Sequence, residues 1–217
     1  MLTRTKPKAL DLFCCAGGAG MGLWQAGFEV VGVDIEPQPH YPFAFFKADA
    51  LTYPLEGFDF VWASPPCQAY TLAQRIRDNK HPDLIEPIRK RLQRLGVAWA
   101  IENVVGAPLI NPIELCGAMF GLQVYRHRLF ECSFPIEAPP HPVHMAPLRK
   151  MGRPVRPGEF MHVVGNFSGV AQARKAMGID WMMRDELREA IPPAYAKFIG
   201  TAAMAHINQT HEVGLCV

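Results

Sequence analysis

A cysteine on a proline-stiffened turn is the residue of this chain best suited to covalent chemistry. Cys67 follows the apolar run at residues 58–62, directly after Pro65 and Pro66. Two consecutive prolines remove two backbone donors, so the strand predicted for that run must end there and present the thiol on a rigid turn. A thiolate in such a place can act as a nucleophile. A small buried residue that ends a strand is the alternative for Cys67 taken alone, because free cysteines are among the most buried residue types.

Other groups able to stabilise charge lie where predicted strands end or turn. Glu102 directly follows the apolar run at residues 97–101. Arg126 and Arg128 belong to a strand predicted at residues 125–132, and the two-residue period of a strand is expected to put them on one face. A carboxyl group and guanidinium groups aimed at one substrate could neutralise charge that develops during a reaction. A basic edge strand protected against aggregation is the alternative explanation for the arginines.

A glycine-rich turn near the start is suited to binding a nucleoside cofactor. The apolar run at residues 9–13 leads into a turn containing Gly17 and Gly18, and residues 21–27 are predicted to form a short helix. Glycines allow a ligand to approach the backbone, and a helix start offers unpaired N–H groups. The next predicted strand ends at Asp34, whose carboxylate could accept both ribose hydroxyls. A tight turn followed by a solvated acid is the alternative.

The remaining pattern predicts an α/β fold. Nearly continuous apolar runs predict five strands, at residues 9–13, 29–34, 43–49, 58–63 and 97–101. Apolar residues at helical spacing between residues 82 and 95 predict a helix packed on the sheet. Strands of this kind, alternating with helices, indicate a mostly parallel, doubly wound sheet covered on both faces. Ligands then bind at the carboxyl ends of the strands, where the glycine turn, Cys67 and Glu102 all fall.

Composition indicates one sizeable core and no membrane span. The 217 residues are 49% apolar with a formal charge of +2, and no long apolar stretch follows the basic start. A cytoplasmic location, in a bacterial cell or a viral host, is therefore expected. The six cysteines have neither a paired disulfide framework nor a Cys-x-x-Cys spacing, which fits a reducing compartment. The spacing of Cys116, Cys132, His141 and His144 is poor for zinc, so no metal is expected.

Several of these segments, taken together and in order, resemble the motifs of the DNA (cytosine-5) methyltransferases. The resemblance spans most of about the first 130 residues, and its most specific parts are Pro66-Cys67-Gln68, Glu102-Asn103-Val104 and Arg126-x-Arg128. It implies a Rossmann-like class I methyltransferase fold, S-adenosyl-L-methionine as cofactor and double-stranded DNA as substrate. The implied catalytic residues are Cys67, Glu102, Arg128, Arg126 and Asn103. The implied cofactor-binding residues are Phe13, Cys15, Gly17, Gly18, Asp34, Ile35, Asp49, Ala50 and Pro66, and the implied substrate-binding residues are Gln68, Arg75, Arg77 and Lys80.

The resemblance implies a covalent reaction at a base flipped out of the duplex. The Cys67 thiolate would add to C6 of cytosine, which makes C5 able to accept a methyl group. Glu102, kept protonated, would donate to N3, while Arg128 would hold O2. Asn103 would fix the turn carrying Glu102. Arg75, Arg77 and Lys80 would contact phosphates of the DNA backbone. The product would be 5-methylcytosine, as in restriction-modification. Whether a companion restriction nuclease exists stays open, and a monomer is expected.

This chain departs from the family pattern at three positions. Cys15 replaces a glycine, Val124 replaces a glutamine, and Arg188-Glu189 replaces a Gly-Asn pair that precedes the last helix. The last replacement puts one contact to the amino-acid end of the cofactor in doubt.

The expected organisation has a reduced recognition region. A catalytic and cofactor-binding core is predicted at residues 1–132, a small target-recognition region of irregular structure at 133–183, a C-terminal helix packing on the core at 184–207 and a tail at 208–217. The recognition region has only about fifty residues, so we expect a short or relaxed target sequence. Seven basic residues against two acids between residues 141 and 184 suit a DNA surface.

Three other functions are compatible with parts of the pattern. An RNA cytosine-5 methyltransferase would share the fold, since nothing in the sequence shows how a 2′-hydroxyl is treated. An amino-group DNA methyltransferase would explain Ser64-Pro65-Pro66 but needs an aromatic residue where Cys67 stands. A catalytically silent DNA-binding homologue would leave Cys67 and Glu102 without a role.

Overall fold

Seven strands form one sheet in the computed structural model, which describes residues 6–70, 82–149 and 152–214. The strands are β1 (Lys8–Leu12), β2 (Glu29–Asp34), β3 (Ala44–Lys47), β4 (Phe60–Ala63), β5 (Ala98–Asn103), β6 (Ile113–Leu115) and β7 (Arg128–Cys132). Their spatial order is β3-β2-β1-β4-β5-β7-β6. The first five in this order pair in parallel, and β7 pairs antiparallel with both β5 and β6. The mostly parallel α/β sheet predicted from the apolar runs is thus confirmed.

Within these described ranges, five helices accompany the sheet: α1 (Gly18–Gln25), α2 (Ile85–Gln93), α3 (Val170–Met177), α4 (Arg184–Glu189) and α5 (Pro193–Gly214). Alternate strand residues point to opposite faces. Ala9, Phe60 and Trp62 join the core beneath α1 and α5, whereas Leu10 and Val61 join the core beneath α2. The sheet is therefore doubly wound, as expected, although residues 35–43 and 48–59 connect their strands without a helix.

Small residues bring α1 and α5 into close contact. A Cβ atom on Gly22 would lie 2.2 Å from the carbonyl oxygen of Pro193, and one on Gly18 would lie 2.5 Å from that of Ile191. A Cβ atom on Gly200 of α5 would likewise lie only 3.0 Å from the Cβ atom of Ala26. The backbones of the two helices can approach this closely only because these positions lack a side chain. The start of α1 is thereby fixed against the chain that enters α5.

A buried ion pair attaches α2 to β7. Arg89 donates from Nε and Nη2 to the two carboxylate oxygens of Glu131 at 2.8 Å each, and a third bond reaches the carbonyl oxygen of Pro108 at 2.8 Å. Both side chains are almost fully buried. The paired geometry satisfies the charges that burial would otherwise make costly. One arginine of a helix that looks basic and solvent-facing in sequence is therefore part of the core.

The segment at residues 133–183 builds a small apolar core of its own. Met161, Phe167 and Met177 are among its buried members, and they pack with Ala16 and Leu187 from outside the segment. This second core lies against the glycine turn and α4. The predicted division at residues 132 and 183 stays a prediction, since the packing joins the segment to both neighbours.

Three local predictions differ from the structure. The strand predicted at residues 125–132 begins only at Arg128, because Arg126 adopts a φ of 40° that no strand residue has. β6 and α3 were not expected: β6 has three residues, and α3 lies within a stretch predicted to be irregular. α5 continues to Gly214, beyond the helix end predicted at residue 207.

No helix among the described residues is both long enough and apolar enough to span a membrane.

The close contact between α1 and α5 predicts a loss of stability for Gly22→Ala. Alanine is the better helix former by about 1 kcal/mol, so propensity alone would stabilise the variant. The clash with Pro193 and Ala196 is expected to outweigh this and to lower the free energy of unfolding by about 1–3 kcal/mol in urea titrations. Gln25→Ala, at an exposed position of the same helix, is the control and should change stability little. Equal or greater stability of Gly22→Ala would contradict the packing described.

Candidate active site

One cavity lies at the carboxyl ends of β1, β4 and β5. Its volume is about 220 Å³, several times the roughly 30 Å³ that a water molecule occupies in the liquid, so it has room for a ligand. Its walls come from the glycine turn, the proline turn, the end of β5, Arg128 and the junction between α4 and α5. This is where parallel α/β sheets bind ligands.

Cys67 lines the cavity from the turn after β4 and is half-buried. The turn continues into a short 3₁₀ helix, Gln68–Tyr70, closed by a bond from the Tyr70 amide to the Cys67 carbonyl at 3.0 Å. Burial raises the pKa of the Cys67 thiol, Arg128 opposes this rise, and Glu102 adds to it. Formation of the thiolate therefore depends on how the two neighbouring charges are balanced.

Glu102 and Arg128 form a pair inside the same cavity. The Nε atom of Arg128 lies 3.1 Å from Oε1 of Glu102, whose side chain is 9% exposed. Burial raises the pKa of the Glu102 carboxyl, whereas Arg128, Ser64 and Arg126 act in the opposite direction. The net effect is a raised pKa, which favours the protonated form of Glu102 more than for an exposed carboxyl.

Ser64 links Glu102 to the sheet. Its hydroxyl oxygen accepts a bond from the Trp62 indole N–H at 2.8 Å and is also hydrogen-bonded to Glu102. Because Trp62 is fully buried, its indole holds the Ser64 hydroxyl in a fixed orientation. A rigid neighbour therefore fixes the Glu102 carboxyl.

Asn103 joins the proline turn to the end of β5. Its amide Nδ2 donates to the carbonyl oxygen of Pro65 at 2.9 Å, and its Oδ1 accepts from the Val104 amide at 2.9 Å. The first bond holds the proline turn that carries Cys67, and the second holds the chain after Glu102. Asn103 does not line the cavity. It therefore sets the position of the thiol relative to the carboxyl.

Arg126 lies outside this cavity, in contrast to the shared strand face predicted for it and Arg128. Its guanidinium donates to the carbonyl oxygens of Val163 and Arg188 at 2.7 Å each. Burial, followed by the nearby Arg128, lowers the pKa of Arg126 to about 9, which leaves it protonated at neutral pH. Its contacts join the chain just before β7 to residues 163 and 188, on either side of α3.

The glycine turn is wound in an uncommon backbone conformation. Phe13, Cys15 and Gly17 all have positive φ, at 58°, 44° and 84°. Such residues outside glycine cost of order 1–3 kcal/mol each and cluster at functional sites. The Cys15 amide donates to Oδ2 of Asp34 at 2.9 Å, so the acid at the end of β2 supports this conformation.

The glycines of this turn meet protein atoms. A Cβ on Gly17 would lie 2.8 Å from Pro42, and Gly18 is limited by Ile191. Packing therefore demands both glycines, whatever ligand approaches the turn. Gly18 lines the cavity, and Gly17 does not.

The other predicted cofactor and substrate residues are divided between the cavity and its surroundings. Phe13, Cys15, Pro66 and Gln68 line it. Asp34, Ile35, Asp49 and Ala50 do not; Oδ1 of Asp34 accepts the Glu36 amide at 3.0 Å, and Oδ1 of Asp49 accepts the Leu51 amide at 2.8 Å. Ile35 is 63% exposed and Ala50 is buried. Arg75, Arg77 and Lys80 lie outside the described residues.

Sequence reasoning missed part of the cavity wall. Asp11 lies at its base, and Arg188, Glu189, Ala190 and Ile191 close one side. The signals for the second group were the interrupted helix at Ile191-Pro192-Pro193 and the replacement of a Gly-Asn pair by Arg188-Glu189, which was interpreted as the loss of a cofactor contact. Asp11 gave no signal, because one acid inside an apolar run does not show which way it points.

Comparison with known proteins identifies the fold. No protein-family model matches the chain. A type II methyltransferase, M.AgeI of Thalassovita gelatinovora, is 32% identical over 120 residues, which are 46% of this chain and only 28% of that protein.

Three solved structures match nearly their whole length. A protein described as a DNA modification methyltransferase encoded within an E. coli prophage aligns with a TM-score of 0.67 at 13% identity, covering 94% of this chain and 99% of that one. S. pombe Dnmt2 methyltransferase aligns at 0.62 and 12%, covering 93% and 99%, and the Entamoeba histolytica methyltransferase EhMeth at 0.61 and 11%, covering 94% and 99%. The chain has the Rossmann-like α/β fold of these methyltransferases.

The environment of Asp11 predicts a specific pH dependence of stability. Burial raises the pKa of this carboxyl to about 8, and its Oδ1 has no partner among the described residues. Because the pKa is higher in the folded chain, the contribution of the protonated acid is complete below about pH 4 and is lost as the pH rises towards 8.

Asp11→Asn removes this charge while keeping the shape of the side chain. Relative to the unmodified chain, its free energy of unfolding should therefore improve by on the order of 1 kcal/mol per pH unit between about pH 5 and 7. Urea titrations at several pH values measure this difference. A difference that stays constant with pH would show that Asp11 ionises normally.

Proposed function

We propose that this protein transfers a methyl group from S-adenosyl-L-methionine to C5 of cytosine in DNA. The observation that supports this most strongly is the convergence of Cys67, Glu102 and Arg128 on one cavity, with the last two 3.1 Å apart. Addition to a cytosine ring needs these three groups: a nucleophile, a proton donor and a cation. The likeness to M.AgeI and to the prophage protein favours DNA as the substrate.

The cavity fits the proposed cofactor on the side of the glycine turn. Gly18 and Ala19 line it at the N-terminal end of α1, which has no side-chain cap. Helix N-termini attract carboxylates such as that of a methionine group. Phe13 and Pro66 provide apolar surface. We assign to the Asp34 carboxylate the hydrogen bonds with the ribose hydroxyls. When bound, S-adenosyl-L-methionine supplies an electrophilic methyl group.

The residues of this chain account for the activation of cytosine. The Cys67 thiolate adds to C6, and the electron pair moves through the ring towards N3 and O2. Glu102 in its protonated form donates to N3, and Arg128 stabilises O2. After C5 has been methylated, a water molecule takes the C5 proton, the Cys67 sulfur leaves as a thiolate, and Glu102 takes back the proton on N3, which restores the aromatic ring. Asn103 holds the thiol and the carboxyl in register throughout.

The target carbon of cytosine is out of reach inside a duplex, so the base must leave the stack to meet Cys67. Flipping costs roughly a few kcal/mol, and contacts with the DNA backbone offset it. We assign target recognition to residues 133–183 and phosphate contacts to Arg75, Arg77 and Lys80.

Covalent trapping tests the proposed nucleophile. A DNA duplex carrying 5-fluorocytosine cannot lose the C5 substituent as a proton, so the Cys67 adduct should accumulate in the presence of cofactor. Denaturing gels should show the complex, and peptide mass spectrometry should place the DNA on Cys67. Cys67→Ser should give no adduct, whereas the control Cys132→Ser, outside the cavity, should still give it.

The outcomes of this experiment separate the alternatives. Methylated product without an adduct would indicate an amino-group methyltransferase. Binding with neither product nor adduct would indicate a silent homologue. An adduct with RNA in place of DNA would indicate the RNA enzyme.

Glu102→Gln tests the proposed proton donor. Glutamine has nearly the same shape but cannot transfer a proton to N3, so kcat for methyl transfer should fall by about 10²- to 10⁴-fold. Glu29→Gln, at an exposed carboxyl at the start of β2 and outside the cavity, should retain normal turnover. A Glu102→Gln variant with unchanged kcat would refute this role.

The short recognition region predicts a short or relaxed target. Expression in a host free of DNA methylation, followed by base-resolution mapping of 5-methylcytosine, measures it directly. Modified cytosines should share few flanking bases. A long and strictly defined site would contradict the prediction.

A further inference from the structure

Four potential metal ligands meet at a place remote in sequence from Cys67. Cys116 lies between β6 and the short 3₁₀ helix Gly117–Phe120, and His127 directly precedes β7. His141 and His144 come from the proline-rich stretch that follows β7. One ligand atom from each of the four residues lies within 4.8 Å of every other. The cluster therefore joins two adjacent parts of the sheet edge to a segment that has no regular structure.

The spacing of these atoms is close to that of a tetrahedral zinc site. Zinc bonds of about 2.0–2.1 Å to nitrogen and 2.3 Å to sulfur place neighbouring ligand atoms about 3.3–3.6 Å apart. In this protein, Sγ of Cys116 lies 3.3 Å from Nε2 of His144, and Nε2 of His127 lies 3.2 Å from Nε2 of His141. Small side-chain movements would complete the tetrahedron.

Neighbouring groups orient and neutralise the cluster. The ring of Tyr125 stacks on that of His144 with centroids 3.6 Å apart, which fixes the plane of this imidazole. Oε1 of Glu114 lies 3.7 Å from Nε2 of His127. One thiolate and one nearby carboxylate would balance the charge of a divalent cation.

The stretch at residues 135–146 needs such an anchor. Within the described part of the chain, no backbone–backbone hydrogen bond joins it to other residues, and none of its side chains is fully buried. Its two ends are held, since Ile136 packs against the main core and the Tyr125 hydroxyl donates to the carbonyl oxygen of Ala146 at 2.5 Å. Between these points, hydrophobic burial and backbone hydrogen bonds, the usual means of ordering a chain, contribute little. Metal coordination can supply folding free energy directly.

We propose that Cys116, His127, His141 and His144 bind a structural zinc ion. A site with four protein ligands has no open position for a substrate, which is typical of structural rather than catalytic zinc. Mixed sulfur and imidazole ligands favour zinc over magnesium or calcium. On binding, the Cys116 thiol releases its proton to solvent, and one sulfur and three nitrogen atoms replace the water molecules that the hydrated ion carried. The ion would fasten the start of the recognition segment to the sheet, and it would also fix the chain next to Arg128. The set of ligands considered from the sequence had Cys132, and the structure has His127 in its place. The proposed zinc site does not depend on the proposed methyl transfer.

Metal content tests the proposal on the full chain. Protein produced without a histidine tag in zinc-supplemented medium should retain about one zinc ion per chain after dialysis against a weak chelator, measured by inductively coupled plasma mass spectrometry. Cys116→Ser and His144→Ala should each lower the retained zinc at least tenfold. Cys132→Ser and His162→Ala, which change a cysteine and a histidine outside the cluster, should retain it.

Cobalt replacement tests the ligand set without any substitution. The Co²⁺ form of the unmodified chain should show the ligand-field intensity of a tetrahedral site together with a thiolate charge-transfer band. This result stands even where Cys116→Ser fails to fold, and His141→Ala, at an exposed position, provides a second variant. A chain that takes up no zinc, a cobalt spectrum without the thiolate band, or zinc retention equal in Cys116→Ser and Cys132→Ser would overturn the proposal.

Discussion

The site depends on keeping a carboxyl group and a guanidinium buried side by side. Glu102 lies at the end of a fully buried strand, where loss of solvation favours its neutral form, and Arg128 at 3.1 Å favours its charged form. Water screens this pair only partly, because the side chains of Arg128 and Glu102 are 17% and 9% exposed. The same arginine also lowers the energy of the Cys67 thiolate. One cation is therefore shared by the groups that would act as acid and as nucleophile.

The position of this pair follows from strand pairing. β4 and β5 are adjacent and parallel, with Ala63 opposite Ile101, so Cys67 and Glu102 emerge from the same edge. β7 runs antiparallel to β5 with Asn103 opposite Leu129, so Arg128 arrives at that edge from the opposite direction. Asn103 then joins the first two turns through its side chain. The geometry of the site is thus a property of three neighbouring strands and one amide.

Much of this arrangement could be predicted from the sequence, for physical reasons that also explain the failures. Continuous apolar runs identify buried parallel strands, and the paired prolines mark where one of them ends. β6 has only three residues, too few for a period to be recognised. The separation of Arg126 from Arg128 depends on a positive φ that an arginine rarely adopts. His127 joins a cluster with Cys116 and two later histidines through tertiary folding alone, which no spacing rule captures. Arg89 has the sequence appearance of a surface residue and is buried because Glu131 faces it.

The contact between Trp181 and the glycine turn has a consequence for protein engineering. The indole N–H of Trp181 donates to the carbonyl oxygen of Ala16 at 2.7 Å, and Val163 accepts a bond from Arg126. Residues at both points belong to the segment inserted between β7 and α4. Replacing this segment with a foreign one would remove two hydrogen-bond partners together. The glycine turn would lose Trp181, and the buried Arg126 would lose the carbonyl oxygen of Val163. Chimaeras with altered specificity would therefore have to retain Trp181 and the backbone at Val163, so the exchangeable portion is smaller than the insertion itself.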